Sequence, residues 1–571
     1  MVLLCCVLSY ADSRPSHAAS AGCRDSLATD LEDLAAFGFT GQVVVAEGDS
    51  IIAERAAGRA DASGAPIVPA TCFAAGSIAK SVTAALIVRL AARGRLSLDD
   101  SLATRLPGVP PDKRGITLRQ LLSHTSGLAE NGDDTDEDDR RDEVVSKVLA
   151  TPGVATPGTR FSYSNAGFEL LAAVVEHVSG HPYAELATTE LFAPSGMTGS
   201  GSGASGAARC TGAATGRNEW MLTSSLESWR QVWAGTGAGD LVTNARDLAR
   251  WARTLQGHGP LTTAELDTLL APRVAVNANL SYGFGVYVAA VPGVPKISIG
   301  GDVPGYHAGA WIEQQPPWRV ISVTMSGEHF GRRLAVRAIQ RSLWGILNGD
   351  SIALPPRTVP WPRGAATKIA GAWTLTGGGH LELTPDGDGL RLGASGAAAM
   401  DLVYGEDTTG TRALVESRAA QILKAAAQSK DAPLLDALHP VERDLWIESL
   451  RARMADCIQR LGALKEVRVL GTVPLPWLER GRRTYLDLRF ARGEQDASLA
   501  WLDAGLLDVS FGEGRPYPVL LPVAPLAEGG LGAWSILDGS LVRLDPAADR
   551  RGPALLVTGP GGRAVARREK R

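Results

Sequence analysis

The sequence predicts an α+β fold in which an antiparallel sheet is flanked by helices and carries a helical subdomain, followed by a second α+β domain at the C terminus. Two groups of observations lead to this prediction. Near the N terminus, a helical stretch at 26–37 precedes β-rich runs at 42–47 and 50–55, which predict a hairpin. Four later extended runs precede another helix; the runs span 284–290, 296–301, 308–313 and 319–325, and the helix spans 332–347.

The residues between these two groups of strands have helical patterns. Apolar residues recur at helical spacing from Ser77 to Ala92, and Gly94 ends this helix. Further helical stretches span 165–178 and 245–255. We therefore expect an all-helical insertion between the early and late strands, with Ser77 opening a buried helix.

A proline-rich segment at 354–362 indicates a domain boundary, because proline stiffens the chain and interrupts regular structure. The predicted organisation is a leader at 1–23, a main domain at 24–350, a linker at 351–365 and an accessory domain at 366–571. In the accessory domain the patterns predict short strands around 370–395 and a helical stretch at 411–464. Four further strands are predicted at 466–472, 484–490, 498–503 and 506–511.

The composition is that of an ordinary globular protein, with 45% hydrophobic and 21% charged residues. Lys and Arg number 57 against 61 Asp and Glu, so no nucleic-acid partner is expected. None of the six cysteines forms a C-x-x-C pair, so we expect no metal site and no cofactor, and Cys72 fits an apolar core position. Beyond the first residues, no apolar run reaches the ~18 residues of a membrane span.

The N terminus has the features of an export leader. An apolar run at 2–8 leads to the small residues of 18–23, which fit a cleavage site. The sequence therefore predicts a periplasmic or secreted protein, or one associated with the cell envelope.

Ser77 and Lys80 form the chain's Ser-x-x-Lys motif. On a helix the i,i+3 offset places both side chains on one face, so that the amine can reach the hydroxyl. A serine hydroxyl is a poor nucleophile until a base takes its proton, and a buried lysine can be that base because desolvation lowers its pKa. The spacing predicts a nucleophile and its base.

Tyr163, Ser164 and Asn165 form the chain's Tyr-x-Asn motif, at a loop-to-helix junction. There the phenol of Tyr163 can relay a proton, and the amide of Asn165 can bond to the lysine and to a substrate carbonyl. The alternative is that Tyr163 is an ordinary turn residue.

Together with the segment Leu121-Leu122-Ser123-His124-Thr125-Ser126-Gly127-Leu128, these motifs point to one family. The sequence resembles the class C β-lactamase and penicillin-binding-protein superfamily, including its esterases, from about residue 35 to 348. The resemblance implies a β-lactamase/transpeptidase-like fold. It also implies that Ser77 is the nucleophile, that Lys80 and Tyr163 are the general base and acid, and that Asn165 positions the substrate. In this family the segment around His124 is structural.

The third family motif departs from the pattern. Relatives carry Lys-Thr-Gly or His-x-Gly on a strand that lines the site, whereas the matching string here is Ile299-Gly300-Gly301. The string His307-Ala308-Gly309 is the alternative, but its use leaves one strand too few before the helix at 332–347. With Ile299 in this position, the amides of Ser77 and Asp302 would form the oxyanion hole, and Gly300 and Gly301 would let a substrate backbone approach.

These observations predict an acyl-serine hydrolase for ester or amide substrates, of the carboxylesterase type or of the D-Ala-peptidase type that acts on peptidoglycan-type peptides. A class C-type β-lactamase is a weaker alternative, because β-lactams carry a carboxylate and the cation of the third motif is missing. A catalytically impaired ligand-binding protein of the same fold is the alternative from another class. The sequence predicts no oligomeric state.

Overall fold

A computed structural model describes residues 27, 31–61, 63–131, 140–210, 212–215, 233–277, 279–291, 294–303, 305–326, 331–349, 355–386, 389–405, 410–428, 443–474, 481–502, 505–511, 521–535, 540–547 and 552–569. The predicted leader at 1–23 lies outside these residues. The described residues divide into two compact units. The first takes residues 27, 31 and 32 and the residues between 39 and 326 and between 332 and 349, and the second takes 33–38, residue 331 and the residues from 355 onwards.

The first unit is built on an eight-stranded sheet in the order β2-β1-β11-β10-β9-β8-β7-β6. Its strands are β1 Gly41–Glu47, β2 Ser50–Ala57, β6 Val274–Asn277, β7 Leu280–Tyr282, β8 Tyr287–Ala289, β9 Ile297–Val303, β10 Tyr306–Ile312 and β11 Arg319–Ser326. All neighbouring pairs are antiparallel. The valine run of β1 pairs with the late strand β11, so the first and last strands of the unit lie side by side. The predicted antiparallel sheet is confirmed.

Helices fill the interval between early and late strands and follow β11. They are α1 Ala79–Ala92, α2 Leu102–Arg105, α3 Leu118–Leu122, α4 Arg141–Ala150, α5 Asn165–Ser179, α6 Tyr183–Ala187, α7 Gly203–Arg209, α8 Ala245–Leu255, α9 Thr263–Leu270 and α10 Gly331–Leu347. Every residue of α1 from Ala79 to Leu90 is buried, so this helix is the centre of the helical subdomain. The predicted helix start at Ser77 was wrong by two residues, because Ser77 lies in the turn before α1.

The insertion between early and late strands is not all helical, which corrects the prediction. A small antiparallel sheet in the order β3-β5-β4 crosses it, formed by β3 Phe73–Gly76, β4 Gly201–Ser202 and β5 Leu241–Thr243. Cys72 precedes β3 and is buried as predicted, but it also forms a disulfide with Cys210. Sequence spacing could not identify this pair, because 138 residues separate the two cysteines.

The second unit contains a closed eight-stranded barrel, which the sequence analysis did not predict. Its strands are β12 Gly371–Leu375, β13 His380–Asp386, β14 Gly389–Ser395, β19 Leu521–Pro525, β20 Leu531–Trp534, β21 Leu541–Ala547, β22 Ala554–Gly559 and β23 Gly562–Arg568. Alternating side chains such as Leu381, Leu383, Val542 and Leu544 are fully or almost fully buried in one apolar cluster. A barrel of this size is wide enough for side chains to fill it, so these residues form its core.

An α+β segment is inserted between barrel strands β14 and β19. It comprises α12 Ala397–Tyr404, α13 Thr411–Ala427, α14 Arg443–Leu461, β15 Leu464–Pro474, β16 Gly481–Phe490, β17 Gly493–Leu502 and β18 Gly505–Phe511. The four strands form one antiparallel sheet in chain order. The helices α13 and α14 and the four strands match the helical and extended patterns predicted for this part of the chain, whereas α12 was not predicted. The sheet and the helices α13 and α14 share an apolar cluster.

Part of the predicted linker is hydrogen-bonded within the second unit. Thr358 forms a β-bridge with Leu526, and its amide and hydroxyl both donate to the carboxylate of Asp33. A short helix, α11 Ala365–Ile369, precedes the first barrel strand. Residues 351–354 of the predicted linker lie outside the described residues.

Candidate active site

Ser77 lies in the turn that joins β3 to α1. Gly76 has a left-handed backbone with φ 51°, which lets the chain turn sharply out of β3 without the steric cost of a side chain. Ser77 is half-buried, and Lys80 follows in the first turn of α1, where it is only 1% exposed. The turn therefore holds a partly accessible hydroxyl beside a buried amine.

Lys80 Nζ has three hydrogen-bond acceptors around it. It lies 2.7 Å from Asn165 Oδ1, 2.6 Å from the carbonyl oxygen of Ala238 and 3.1 Å from Ser77 Oγ. An ammonium group has three N–H bonds, so these acceptors satisfy all of them. The same arrangement fixes the direction in which the nitrogen faces Ser77.

Burial lowers the pKa of Lys80 to about 7, because desolvation disfavours the charged amine. The negative charges of Glu169, Glu130 and Asp240 act in the opposite direction and favour the ammonium form. Near neutral pH both forms of Lys80 are accordingly accessible, which is the condition for a residue that takes up and returns a proton.

The Tyr-x-Asn motif enters the site from the start of α5. Ser164 is the N-cap of this helix and accepts a hydrogen bond from the amide of Gly167, which fixes the turn. Tyr163 Oη donates to Ser77 Oγ over 2.8 Å. Asn165 accepts from Lys80 and donates through Nδ2 to Asn131 Oδ1 at 2.9 Å. The structure thus brings together the four residues predicted from the two motifs.

His124 supports the Tyr-x-Asn motif through its hydrogen bonds. Its Nδ1 accepts from the amide of Ser164 at 3.0 Å, and its Nε2 lies 3.2 Å from Tyr282 Oη. The ring centroids of His124 and Tyr163 are 4.3 Å apart. Burial holds the pKa of His124 well below its usual range, so the imidazole is neutral. Its ring packs against the ring of Tyr163.

Strand β9 passes beside the nucleophile turn. A Cβ on Gly301 would lie 2.6 Å from the amide nitrogen of Ser77, and a Cβ on Gly76 would lie 2.9 Å from that of Asp302. Ile299 is on the same strand face as Gly301, is 3% exposed, and belongs to the apolar cluster that contains Ile78.

His307 lies on the opposite face of the sheet from Gly301. It pairs with Asp302 across β9 and β10, with 2.8 Å between Nδ1 and Oδ1. Gly309 shares the face of His307, and a Cβ there would meet Gln340 of α10 at 3.2 Å. Gly300 also lies on this face and is open, since a Cβ on it would meet only the Ala308 carbonyl oxygen, at 3.7 Å.

Four groups around Lys80 were not found by sequence reasoning: the Ala238 carbonyl and the carboxylates of Glu130, Glu169 and Asp240. Of these, only Glu169 had a usable signal, because it follows Asn165 by four residues and therefore shares its helix face. Within the described residues, no cluster of His, Cys, Asp and Glu could hold a metal ion, and no helix is long and apolar enough to cross a membrane.

The family model described as Beta-lactamase matches residues 35–342, which is more than half of the chain. The chain belongs to the β-lactamase family. The predicted family resemblance and fold class are therefore confirmed.

This chain is similar to penicillin-binding proteins of several bacteria. Penicillin-binding protein 4* of Bacillus subtilis (strain 168) is 27% identical over 401 residues, which cover 65% of this chain and 87% of that protein. Penicillin-binding protein 4 of Amycolatopsis lactamdurans is 34% identical over 143 residues, which cover 24% of this chain and 37% of that protein. A penicillin-binding protein of Bacillus halodurans, of known structure, is 26% identical and has a TM-score of 0.48 over 56% of this chain and 98% of that one.

Proposed function

We propose that this β-lactamase-family protein is a serine hydrolase that cleaves ester or amide substrates through an acyl-serine intermediate on Ser77. The observation that carries the proposal is the position of Ser77 Oγ, 3.1 Å from Lys80 Nζ and 2.8 Å from Tyr163 Oη. A hydroxyl with a desolvated amine on one side and a phenol on the other can be deprotonated and reprotonated in place. The expected substrates are those of a carboxylesterase or of a D-Ala peptidase.

The hydrogen bonds of Lys80 support its role as the base. A neutral amine has two N–H bonds and one lone pair, and the two nearer acceptors are Asn165 Oδ1 at 2.7 Å and the Ala238 oxygen at 2.6 Å. When these acceptors take the two N–H bonds, the lone pair is left to face Ser77 Oγ. The proton assignment follows from this count of acceptors.

The reaction then runs in two steps. Ser77 Oγ attacks the substrate carbonyl carbon while its proton passes to Lys80, and Tyr163 protonates the leaving alcohol or amine as its bond to the carbonyl carbon breaks. In the second step water attacks the acyl-serine ester by the reverse proton route, which releases the acid and restores Ser77.

The oxyanion that forms in each step needs two hydrogen-bond donors. The close approach of Gly76 to the Asp302 amide and of Gly301 to the Ser77 amide supports these two N–H groups as that pair. The same approach supports Ile299-Gly300-Gly301 as the third motif, since His307 lies on the far face of β9 and β10. An isoleucine there gives no charge-based recognition of a substrate carboxylate, which favours neutral esters and amides.

We also infer export to an oxidising compartment, as the leader-like N terminus predicts. The Cys72–Cys210 disulfide supports this location, because such bonds persist in secreted and periplasmic proteins and are rare in the reducing cytosol.

The test is labelling and turnover in single variants. We expect Ser77→Ala to abolish both reaction with a fluorophosphonate probe and hydrolysis of p-nitrophenyl butyrate, and Lys80→Ala to come close to this result, because the two act as one unit in acylation. Ser179→Ala, a change at the end of α5, is the control and should retain both activities. Wild-type turnover in Ser77→Ala would refute the proposal.

A further inference from the structure

The segment from Gly235 to Asp240 lies behind Lys80 and presents the Ala238 carbonyl to it. Gly237 has a left-handed backbone with φ 74°, and a Cβ there would lie 2.8 Å from that of Ala172. The segment therefore packs too closely for a side chain at this point. Thr83 of α1 donates its hydroxyl proton to the Gly237 carbonyl at 2.7 Å, which ties the segment to the helix that carries Lys80.

A buried carboxylate holds each end of this segment. At the first end, Glu169 accepts the amide of Gly235 at 2.7 Å, and Glu169 is only 7% exposed. At the other end, Asp240 accepts the amide of Gly237 at 3.0 Å and the hydroxyl of Ser202, and it is 8% exposed. Removal of either acceptor would leave a buried amide without this partner.

Both carboxylates also act on Lys80 through charge. Glu169 follows Asn165 by one helical turn on α5, so the helix face that supplies the amide ligand of Lys80 also supplies a carboxylate. Burial raises the pKa of Glu169, and it raises the pKa of Asp240 to about 6. At neutral pH their negative charges favour the ammonium form of Lys80 and oppose the effect of its burial.

We infer that Glu169 and Asp240 are positioning residues for Lys80. They hold the 235–240 segment so that the Ala238 carbonyl fixes the amine, and their negative charges offset the positive charge of the protonated amine. This inference rests on the proposed role of Lys80 as the base of an acyl-serine hydrolase. It assigns a role in the site to two residues whose carboxylates accept hydrogen bonds from the amides of Gly235 and Gly237.

Other charged and titratable groups also face Lys80. Tyr163 lies with its ring centroid 4.8 Å from Nζ, and Glu130 contributes a negative charge from the loop that accepts the amide of Asn165. His124 is held neutral by burial. Because these groups stay unchanged when Glu169 or Asp240 is substituted, a change in pH dependence reports on the pair of carboxylates. The two act together, since the pKa of Asp240, which burial raises, is raised further by the charge of Glu169.

The experiment measures kcat/KM against pH from 5 to 9 for ester hydrolysis. Activity needs neutral Lys80, so it rises with pH through the lysine pKa. Glu169→Gln keeps a hydrogen-bond acceptor for Gly235 but removes the charge, so the ammonium form of Lys80 loses stability. The acidic limb of the plot of kcat/KM against pH should therefore move about 0.5–1 pH unit lower. At pH values below the limb, kcat/KM expressed as a fraction of its plateau value should therefore be about threefold to tenfold higher in the variant than in wild type.

Three further variants separate charge from structure. Asp240→Asn should move the limb in the same direction, and Glu169→Asp, which keeps the charge, should restore the limb while it lowers the plateau. The matched control is Glu176→Gln, which removes a carboxylate two turns farther along α5 that accepts the amide of Tyr183 instead. Its limb should stay at the wild-type position.

The inference is overturned if Glu169→Gln and Asp240→Asn are both folded and active with an unmoved limb. It is also overturned if Glu169→Gln fails to fold and the limb of Asp240→Asn is unmoved. A failure of the proposed function gives a different result: Ser77→Ala would retain wild-type turnover, independently of where the acidic limb of the other variants lies.

Discussion

At the scale of single residues, the burial of Lys80 determines what the site can do. A lysine in water keeps its proton far above neutral pH, whereas this one has a pKa lowered to about 7. The environment that suits the amine to its proposed role as a base also costs stability, because folding must desolvate a group that the unfolded chain keeps charged.

This cost predicts a specific pH dependence of stability. Because the folded pKa of about 7 lies below the ordinary lysine pKa of 10.5, the unfolded chain binds more protons between these two pH values. The free energy of unfolding should therefore rise with pH across this window, and the cost is fully present below pH 7. We expect the wild-type Tm, relative to that of Lys80→Met, to increase by about 2–8 °C between pH 7 and 9.

Thermal denaturation of both proteins at several pH values measures this difference. Lys147→Met, on α4, is the control and should follow the wild-type curve. A pH-independent difference between wild type and Lys80→Met would contradict the shifted pKa.

Ile299 occupies the position proposed to recognise a substrate carboxylate, and its side chain carries no charge. A charge-assisted hydrogen bond to a carboxylate contributes about 1.5–3 kcal/mol, which corresponds to roughly tenfold to a hundredfold in affinity. We expect wild type to hydrolyse p-nitrophenyl butyrate far better than nitrocefin, and Ile299→Lys to raise the nitrocefin-to-ester ratio of kcat/KM by a factor in that range.

Ile299→Met is the matched control, because it gives a side chain of similar length without charge. Since Ile299 is 3% exposed, both substitutions disturb the same apolar cluster, and only the charge distinguishes them. An equal ratio in the two variants would show that this position does not recognise carboxylates. A ratio controlled by His307→Ala would assign the third motif to His307-Ala308-Gly309.

At the scale of elements, the close approach of β9 to the nucleophile turn is the critical contact. Gly301 has no room for a side chain, because an added Cβ would collide with the Ala75 carbonyl oxygen and lie 2.6 Å from the Ser77 amide nitrogen. Both obstacles are backbone atoms, which cannot rotate away. An alanine at 301 must push β9 away from the turn and separate the two proposed oxyanion donors.

Gly301→Ala should therefore lower kcat/KM by about a hundredfold, the size of effect that a displacement near 1 Å in a catalytic site can cause. Ser298→Ala is a control on the same strand, because it removes only a hydroxyl from the strand face opposite Gly301. We expect its kcat/KM to stay near the wild-type value. Equal losses in both variants would indicate that β9 tolerates no substitution in general, and would leave the oxyanion assignment without this support.

At the scale of the whole molecule, all residues of the proposed site belong to the first unit. Ser77, Lys80, Tyr163, Asn165 and Asp302 lie between 39 and 326, and the second unit has its own apolar clusters. A chain that ends at Asn348 should therefore fold and keep kcat/KM for p-nitrophenyl butyrate within about threefold of the full-length value. Steady-state kinetics with the truncated Ser77→Ala variant as blank measures this.

An insoluble or inactive truncated chain would show instead that the second unit completes the fold or the site. The predicted domain boundary follows the last helix of the first unit, α10. Residues 33–38, however, belong to the second unit although they precede β1. Sequence order alone could not indicate this, because the pairing of the segment with Thr358 is non-local.

Features that depend on residues close together in the chain could be predicted from the sequence. The i,i+3 spacing of Ser77 and Lys80, the Tyr163–Asn165 turn at the start of α5 and the alternation of the late strands are all fixed by neighbours in the chain. The distant groups that surround Lys80, the partner of Cys72 and the closure of eight separated strands into a barrel are seen only in the folded structure. These outcomes depend on contacts between residues far apart in the chain, which leave no periodic signal in it, and on burial, which gives Lys80 its shifted pKa only once the fold is complete.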